Sequence, residues 1–171
     1  MAILTKEDYS KRNENASKRN AANTETAVAN GLPREIGENI EWLCNCRHWF
    51  HCLDVESVYN SESYEYGNFY HFVQKEDDEI IKLEKYFNKP VFTVSQLTIE
   101  ALPTDYDWSE CLDDEEKENI YDGDEEKYRL ESLSKIMDFK NNVNNQIEKF
   151  LADIDTQYKT HYAPTGNQRI Y

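Results

Sequence analysis

Two histidines and an arginine stand close together in the segment Arg47-His48-Trp49-Phe50-His51. His48 and His51 are three residues apart, so on a helix their side chains are neighbours on one face. A neutral imidazole can take the proton of a ribose 2′-OH, and a protonated one can give a proton to the leaving 5′ oxygen. Arg47 could offset charge on the phosphorane oxygens. The spacing fits metal-independent RNA cleavage, but also a histidine pair in a core or interface with Arg47 ion-paired to an acid.

Cysteines in the same segment raise the question of a metal site. Cys44, His48 and either His51 or Cys52 share one side of a helix through their i, i+4 and i+7 or i+8 spacing. Cys46 points away from that side. Structural zinc sites usually take two well-spaced ligand pairs from two elements, and Cys111 is the one cysteine elsewhere in the sequence. We therefore expect neither a metal nor another cofactor, and we interpret Cys44 and Cys52 as small buried thiols.

Aromatic side chains in and after this segment are candidates for stacking on unpaired bases. They are Trp49, Tyr66, Phe69 and Tyr70. Large aromatic rings also belong to protein cores, so both interpretations stay open for each of them.

The elements that would position these residues follow from hydrophobic spacing. Apolar residues recur at three- and four-residue steps from Arg34 to about Cys52, which predicts a helix. The same periodicity predicts a short helix over 77–87 and a long one from Glu125 to about Tyr158, a stretch without Gly or Pro.

Two further segments favour strands. Residues 64–73 are rich in aromatics and contain Gly67-Asn68, which is typical of a hairpin or a bulged strand. Residues 90–99 alternate and are rich in β-branched side chains. We therefore expect an α+β fold, with a small antiparallel β-sheet packed against helices and a long C-terminal helix. Residues 1–33 would form a polar N-terminal arm or helix, and 34–171 a single domain.

Charge is unevenly distributed along the 171 residues, in which 34 acids and 19 bases give a formal net charge of −15. Residues 104–126, here called the acidic segment, contain 12 acids and one base, a net charge of −11. Such a charge repels bare nucleic acid and anionic membranes, so we expect neither as a partner. An acidic block is either a solvated loop or a surface that imitates a phosphate backbone and faces a basic groove. Interspersed apolar side chains favour an ordered element: Tyr106, Trp108, Leu112, Ile120 and Tyr121.

The N-terminal residues lack the apolar region of a signal peptide, and no run approaches 18 apolar residues. The four cysteines are too few and too unevenly spaced for a secreted disulfide framework. These features favour a cytoplasmic protein with reduced thiols.

Several motifs occur in an order that resembles a known family. Residues 43–51 contain the pattern Leu-Cys-x-x-Arg-His-x-Phe-His. Four further motifs surround an acidic block: Ser-Glu-Ser at 61–63, Gly-Asn-Phe-Tyr-His-Phe at 67–72, Ile-Glu-Lys-Phe-Leu at 147–151 and Thr-His-Tyr-Ala-Pro-Thr-Gly-Asn-Gln-Arg at 160–169. Together they resemble the type V-A anti-CRISPR proteins that cleave the guide RNA of the type V-A CRISPR effector nuclease. The resemblance covers roughly residues 36–170 and is weakest over 84–125.

The resemblance implies an inhibitor that acts in the cytoplasm of a bacterial host. It would enter the nucleic-acid groove of the guide-loaded effector, where acidic residues occupy the place at which the effector reads the DNA motif flanking its target. Candidates for that contact are Asp105, Asp107, Glu110, Asp113 and Asp114. As an endoribonuclease it would then cut the bound guide RNA, and His161 and Arg169 of the matching C-terminal motif become further candidate RNA contacts. We expect such an inhibitor to be a monomer.

His48 and His51 as the acid–base pair, with Arg47 on the phosphate, is a hypothesis that rests on spacing and on the match to the family pattern. The alternative function is a non-catalytic acidic mimic of nucleic acid. Such a mimic would block the effector, or another defence nuclease, in a one-to-one complex.

Overall fold

The structure is a computed structural model that describes residues 6–160, and these residues contain helices but no strand. Eight α-helices and one π-helical turn follow one another along this part of the chain. They are α1 (Lys6–Ala29), α2 (Arg34–Cys52), α3 (Val55–Tyr59), α4 (Tyr64–Val73), α5 (Asp78–Phe87), α6 (Gln96–Glu100), the π-helical turn (Asp107–Cys111), α7 (Asp114–Tyr121) and α8 (Glu125–Tyr158). The predicted long C-terminal helix is confirmed, and so are the helices predicted over 34–52 and 77–87.

The predicted α+β fold is wrong, because the first expected strand is helix α4. The backbone N–H of Tyr66 donates to the hydroxyl oxygen of Ser63 at 3.0 Å, which caps the start of this helix. Phe69, Phe72 and Val73 are all buried and recur at the spacing of a helix face. This burial outweighs the strand preference of the aromatic side chains, a preference that depends strongly on context.

The second expected strand is also absent. Residues 90–95 have no regular structure, and Ser95 caps the short helix α6 by accepting a hydrogen bond from the backbone N–H of Thr98 at 3.1 Å. Val91 and Phe92 are each 1% exposed. These apolar side chains are therefore buried although their segment is irregular and does not pair in a sheet.

The described residues divide into two compact units, and α2 and α8 contribute residues to both. The first unit comprises residues 6–48, 78–91 and 146–160. In it, Arg34 at the start of α2 pairs with Glu25 of α1 through two hydrogen bonds of 2.5 and 2.9 Å. Gly37 lies against Thr24, because a Cβ at this glycine would be 3.0 Å from the methyl carbon of that side chain. Its core contains Ile40, Leu43, Ile80, Leu83, Ile147 and Ile154.

The second unit comprises residues 49–77 and 92–145 and has an aromatic core. The rings of Phe50 and Phe69 stack with centroids 5.5 Å apart, and Phe72 lies 5.1 Å from Phe50. A second aromatic cluster in this unit combines Tyr59, Trp108, Tyr121 and Tyr128.

No helix within residues 6–160 has the length and apolar character needed to cross a membrane. The division of the chain at residue 33 stays a prediction.

Candidate functional site

The C-terminal end of α2 is held in place by a buried lysine. Lys140 of α8 donates hydrogen bonds from Nζ to the backbone carbonyls of His51 and Leu53, each at 3.0 Å. A cation suits this position because the last carbonyls of a helix carry partial negative charge. Burial lowers the pKa of Lys140, and nearby Cys52 and Asp54 oppose that shift. The backbone at His51 is therefore fixed, which a precisely placed side chain requires.

The three predicted catalytic side chains differ in access to solvent. His48 and His51 are half-buried, whereas Arg47 is only 1% exposed. Arg47 and His48 belong to the first unit and His51 to the second. Their helical spacing is as predicted, but in this conformation the Arg47 side chain does not lie open to a phosphate group. The roles proposed for all three stay predictions.

The cysteines of α2 have different environments. Cys44 is fully buried, and burial raises the pKa of its thiol to about 12 even though Arg47 favours the thiolate. The interpretation of Cys44 as a small buried thiol is therefore confirmed. The same interpretation is wrong for Cys52, which is exposed. Throughout residues 6–160, His, Cys, Asp and Glu form no cluster of three or more that could hold a metal ion.

The predicted RNA-stacking residues divide in a similar way. Phe69 is completely buried and stacks on Phe50, so in this conformation its ring is part of the core. Trp49 is half-buried, with its ring in edge contact with Phe72 at 6.1 Å between centroids. Tyr70 is also half-buried, beside Tyr66. The other two candidates, His161 and Arg169, lie outside the described residues.

The acidic segment is an ordered structure with an aromatic anchor. The Trp108 ring lies 6.0 Å from Tyr121 and 5.3 Å from Tyr128, measured between centroids. The hydroxyl of Tyr128 donates to the carbonyl of Thr104 at 3.2 Å. The expectation of an ordered element is therefore confirmed. Two of the expected apolar anchors are wrong, since Tyr106 is 57% and Ile120 54% exposed.

Two of the five predicted contact acids hold this segment together. Asp105 accepts hydrogen bonds from the backbone N–H and the hydroxyl of Ser61, at 3.0 and 2.6 Å. Asp107 accepts from the backbone N–H and the hydroxyl of Thr104, at 2.7 and 3.0 Å. Both carboxylates are half-buried. These two carboxylates therefore accept hydrogen bonds within the protein, and such bonds are strong because the acceptor is charged.

The other three predicted acids, Glu110, Asp113 and Asp114, are exposed. Asp113 also begins α7, since it accepts from the backbone N–H of Glu116 at 2.8 Å while the Glu116 side chain accepts from the Asp113 N–H at 3.0 Å. Lys117 is placed over the Trp108 ring, 5.6 Å from its centroid.

In all, ten acids of the segment are exposed, and we call them the acidic surface: Glu110, Asp113, Asp114, Glu115, Glu116, Glu118, Asp122, Asp124, Glu125 and Glu126.

The sequence interpretation did not find a groove in the second unit that places Tyr70 near acids. Eleven residues line this groove, which has a volume of about 590 Å³. Its acidic residues are Glu62, Glu100 and Asp107, which come from three separate segments of the chain. Local patterns do not bring such residues together, although two residues of the Ser-Glu-Ser motif, Ser61 and Glu62, line the groove.

The arrangement supports two kinds of chemistry. The acidic surface can pair with lysine and arginine side chains of a partner, and the half-buried imidazoles of α2 belong to a residue type that exchanges protons near neutral pH. Comparisons of the chain with protein-family models, with curated proteins and with solved structures found no significant match.

Proposed function

We propose that this chain inhibits a guide-loaded type V-A CRISPR effector by entering its nucleic-acid groove and cutting the bound guide RNA. The observation that carries the proposal is the acidic surface, which presents ten exposed carboxylates on an ordered scaffold. A groove that binds nucleic acid is lined by lysine and arginine, so it attracts a surface that carries negative charge as a phosphate backbone does. An ordered surface also loses less conformational entropy on binding than a mobile acidic tail.

Cleavage is assigned to His48 and His51 of α2. One imidazole acts as general base on the ribose 2′-OH, and the other acts as general acid on the leaving oxygen. Arg47 would have to leave its buried position to touch the phosphate, since it is 1% exposed. The two histidines therefore carry the chemistry in this proposal, and the proposed step uses no metal ion.

The net charge restricts the substrate. A chain with a formal charge of −15 repels free RNA. A guide RNA that is already bound by a basic protein has much of its charge neutralised, so it can be approached. We therefore expect free guide RNA to be a poor substrate and effector-bound guide RNA to be a good one.

The burial of Arg47 favours a second candidate function. If the motif of α2 serves the core, the acidic surface alone can block a nucleic-acid groove as a one-to-one mimic. The blocked enzyme is then the type V-A effector or another defence nuclease.

A denaturing gel separates these functions. A panel of guide-loaded type V-A effectors is incubated with the protein at one tenth of their concentration, with and without chelator, and the guide RNA is examined. We expect shortened guide in excess of the added protein, also with chelator present. If the guide stays intact while equimolar protein abolishes DNA cleavage, the chain is a non-catalytic mimic and the proposed cleavage is wrong. No effect on any effector of the panel would contradict inhibition of a type V-A effector by either route, and would leave only a mimic that blocks another defence nuclease.

A further inference from the structure

The groove of the second unit is separate from the motif of α2 and has its own chemistry. One wall carries Tyr66 and Tyr70 of α4, whose ring centroids are 4.5 Å apart and whose planes are tilted by 46°. Both side chains are half-buried. Burial, together with Tyr66 and Asp107, raises the pKa of Tyr70, so its phenol stays neutral. The groove therefore presents two neighbouring aromatic rings.

The first residues of the acidic segment also line the groove. Tyr106 lines the groove and is 57% exposed, and Asp107 follows it at the start of the π-helical turn. Turns of this kind are rare and occur frequently at functional sites. The two hydrogen bonds from Thr104 fix the Asp107 carboxylate at this wall.

The charges of the groove have a single sign. Of its eleven lining residues three are acids and none is a base. Glu62 and Glu100 are exposed, whereas Asp107 is half-buried. An anionic ligand would be repelled here, whereas a cation would be attracted by the carboxylates and by the negative faces of the aromatic rings.

We propose that this groove binds an arginine side chain of a basic protein partner, with the guanidinium against the rings of Tyr66 and Tyr70 and its N–H groups donating to Glu62 and Glu100. Arginine fits better than lysine because its planar guanidinium stacks on aromatic rings and has several donors in fixed directions. The groove also continues into the acidic segment, so one basic surface can contact both. The inference extends the proposed function, in which the effector's groove supplies the arginine, but it can be tested without effector or guide RNA.

A nucleobase is the competing occupant, since bases also stack on tyrosine. The groove is lined by three carboxylates and by no lysine, arginine or histidine, so it repels the phosphate group of a nucleotide. The structure therefore favours a cationic side chain over a nucleotide at this place.

An NMR titration of the ¹⁵N-labelled full-length protein tests the proposal with three probes. N-acetyl-arginine amide is compared with N-acetyl-citrulline amide, which has nearly the same shape without the charge, and with uridine 5′-monophosphate. We expect the arginine probe to shift the backbone signals of Ser61, Tyr70 and Tyr106 and to saturate. The affinity of the citrulline probe should be lower by about tenfold or more, since a hydrogen bond to a charged group is worth more than 1.4 kcal/mol. Equal binding of both probes, or preferred binding of the nucleotide, would overturn the proposal.

Conservative variants separate a binding role from a structural one. Glu62→Gln with Glu100→Gln should weaken the arginine probe by about threefold to tenfold, as expected for two exposed charges. Tyr66→Phe keeps the ring and should retain binding, whereas Tyr66→Leu should lose it. Glu131→Gln, an exposed acid outside the groove, is the matched control and should bind like the wild type. Unchanged binding in the Glu62 and Glu100 double variant would also contradict the proposal.

Discussion

The acidic segment turns its charge outward, whereas the polar motif of α2 is largely buried. Ten of the twelve acids of the segment are exposed. In the motif, Arg47 is buried and the two histidines are half-buried. The two regions therefore differ in access. A partner can meet the acidic surface directly, whereas the side chains of the α2 motif are only partly accessible to one in this conformation.

The same contrast exists inside the acidic segment. Asp105 and Asp107 accept hydrogen bonds that hold the segment, whereas Glu115 and Glu118 are exposed on α7. Acids of one segment therefore differ in what they contact: some accept hydrogen bonds that hold the structure, and others are exposed to solvent. Variants chosen from each group can break or sharpen the comparison.

The largest expected effect is on cleavage by the motif of α2. His48→Ala and His51→Ala should each slow guide cleavage by about 100- to 10,000-fold, the usual contribution of a general acid or base. Binding to the guide-loaded effector should persist, because the acidic surface is unchanged. Single-turnover cleavage and a binding assay on the same samples measure both properties. His71→Ala is the matched control, since His71 is exposed and lies outside the motif. Wild-type cleavage rates in both motif variants would contradict the assignment.

The next effect concerns the two neighbouring aromatics that the sequence marks as candidates for RNA stacking. Phe69→Ala should lower the free energy of unfolding by about 3–5 kcal/mol, because the ring is completely buried in the core. Tyr70→Ala removes a half-buried ring and should cost about 1–3 kcal/mol. Urea unfolding of the two variants measures the difference. Equal losses would mean that the two side chains do not differ in burial as the structure shows.

The contrast within the acidic segment predicts a smaller difference in stability. Asp105→Ala should lower the free energy of unfolding by about 1–3 kcal/mol, because both Ser61 donors lose a charged acceptor. Glu118→Ala should change it by less than about 0.5 kcal/mol, since this side chain is exposed. The same unfolding assay measures both variants. A stable Asp105→Ala protein would indicate that the carboxylate is available to a partner.

The smallest expected effect depends on pH and on His71. Its Nδ1 lies 2.7 Å from Glu76 Oε2 and its Nε2 lies 3.2 Å from Asp77 Oδ1. The hydrogen bond with Glu76 is the main cause that raises the pKa of His71 above its ordinary value of about 6.5. The stabilisation is therefore complete below about pH 6.5 and is lost as the pH rises through the higher folded pKa.

His71→Gln should accordingly be less stable than the wild type at pH 5.5 and nearly equal to it at pH 8.5. Thermal unfolding at the two values measures this small difference, which is screened because the group is exposed. A larger difference at the higher pH would contradict the assigned sign.

The sequence predicts the long helices because periodic burial extends over many residues. Helix α8 has the bounds expected from its apolar stripe. The aromatic side chains of α4 have high strand propensity and therefore favour a strand, although Ser63 gives a local capping signal for a helix. The Asp-x-x-Glu pattern that begins at Asp113 is a similar signal for α7.

Tertiary burial explains what the sequence could not predict. The position of Arg47 in its helix follows from periodicity, but its 1% exposure depends on what packs against that helix. Likewise, Asp105 and Glu110 look equivalent in a list of acids, and only the contact with Ser61 distinguishes them. The groove joins Glu62 and Glu100, which no local pattern connects.

Capture of a guide-loaded effector by the charge of the acidic surface is the main prediction of the proposed function. It is tested most directly with a variant that neutralises Glu110, Asp114, Glu115 and Glu118 as Gln or Asn and leaves the structural acids of the segment unchanged. A control variant neutralises four exposed acids elsewhere and so has the same net charge: Glu38, Asp78, Glu131 and Asp138.

The measurement is the affinity of each protein for the guide-loaded effector at several salt concentrations. We expect the wild type and the control variant to bind alike and to weaken with rising salt. At low salt, the affinity of the acidic-surface variant should be lower by about tenfold or more. Its affinity should also depend less steeply on the salt concentration. Equal affinity and equal salt dependence of all three proteins would contradict the account.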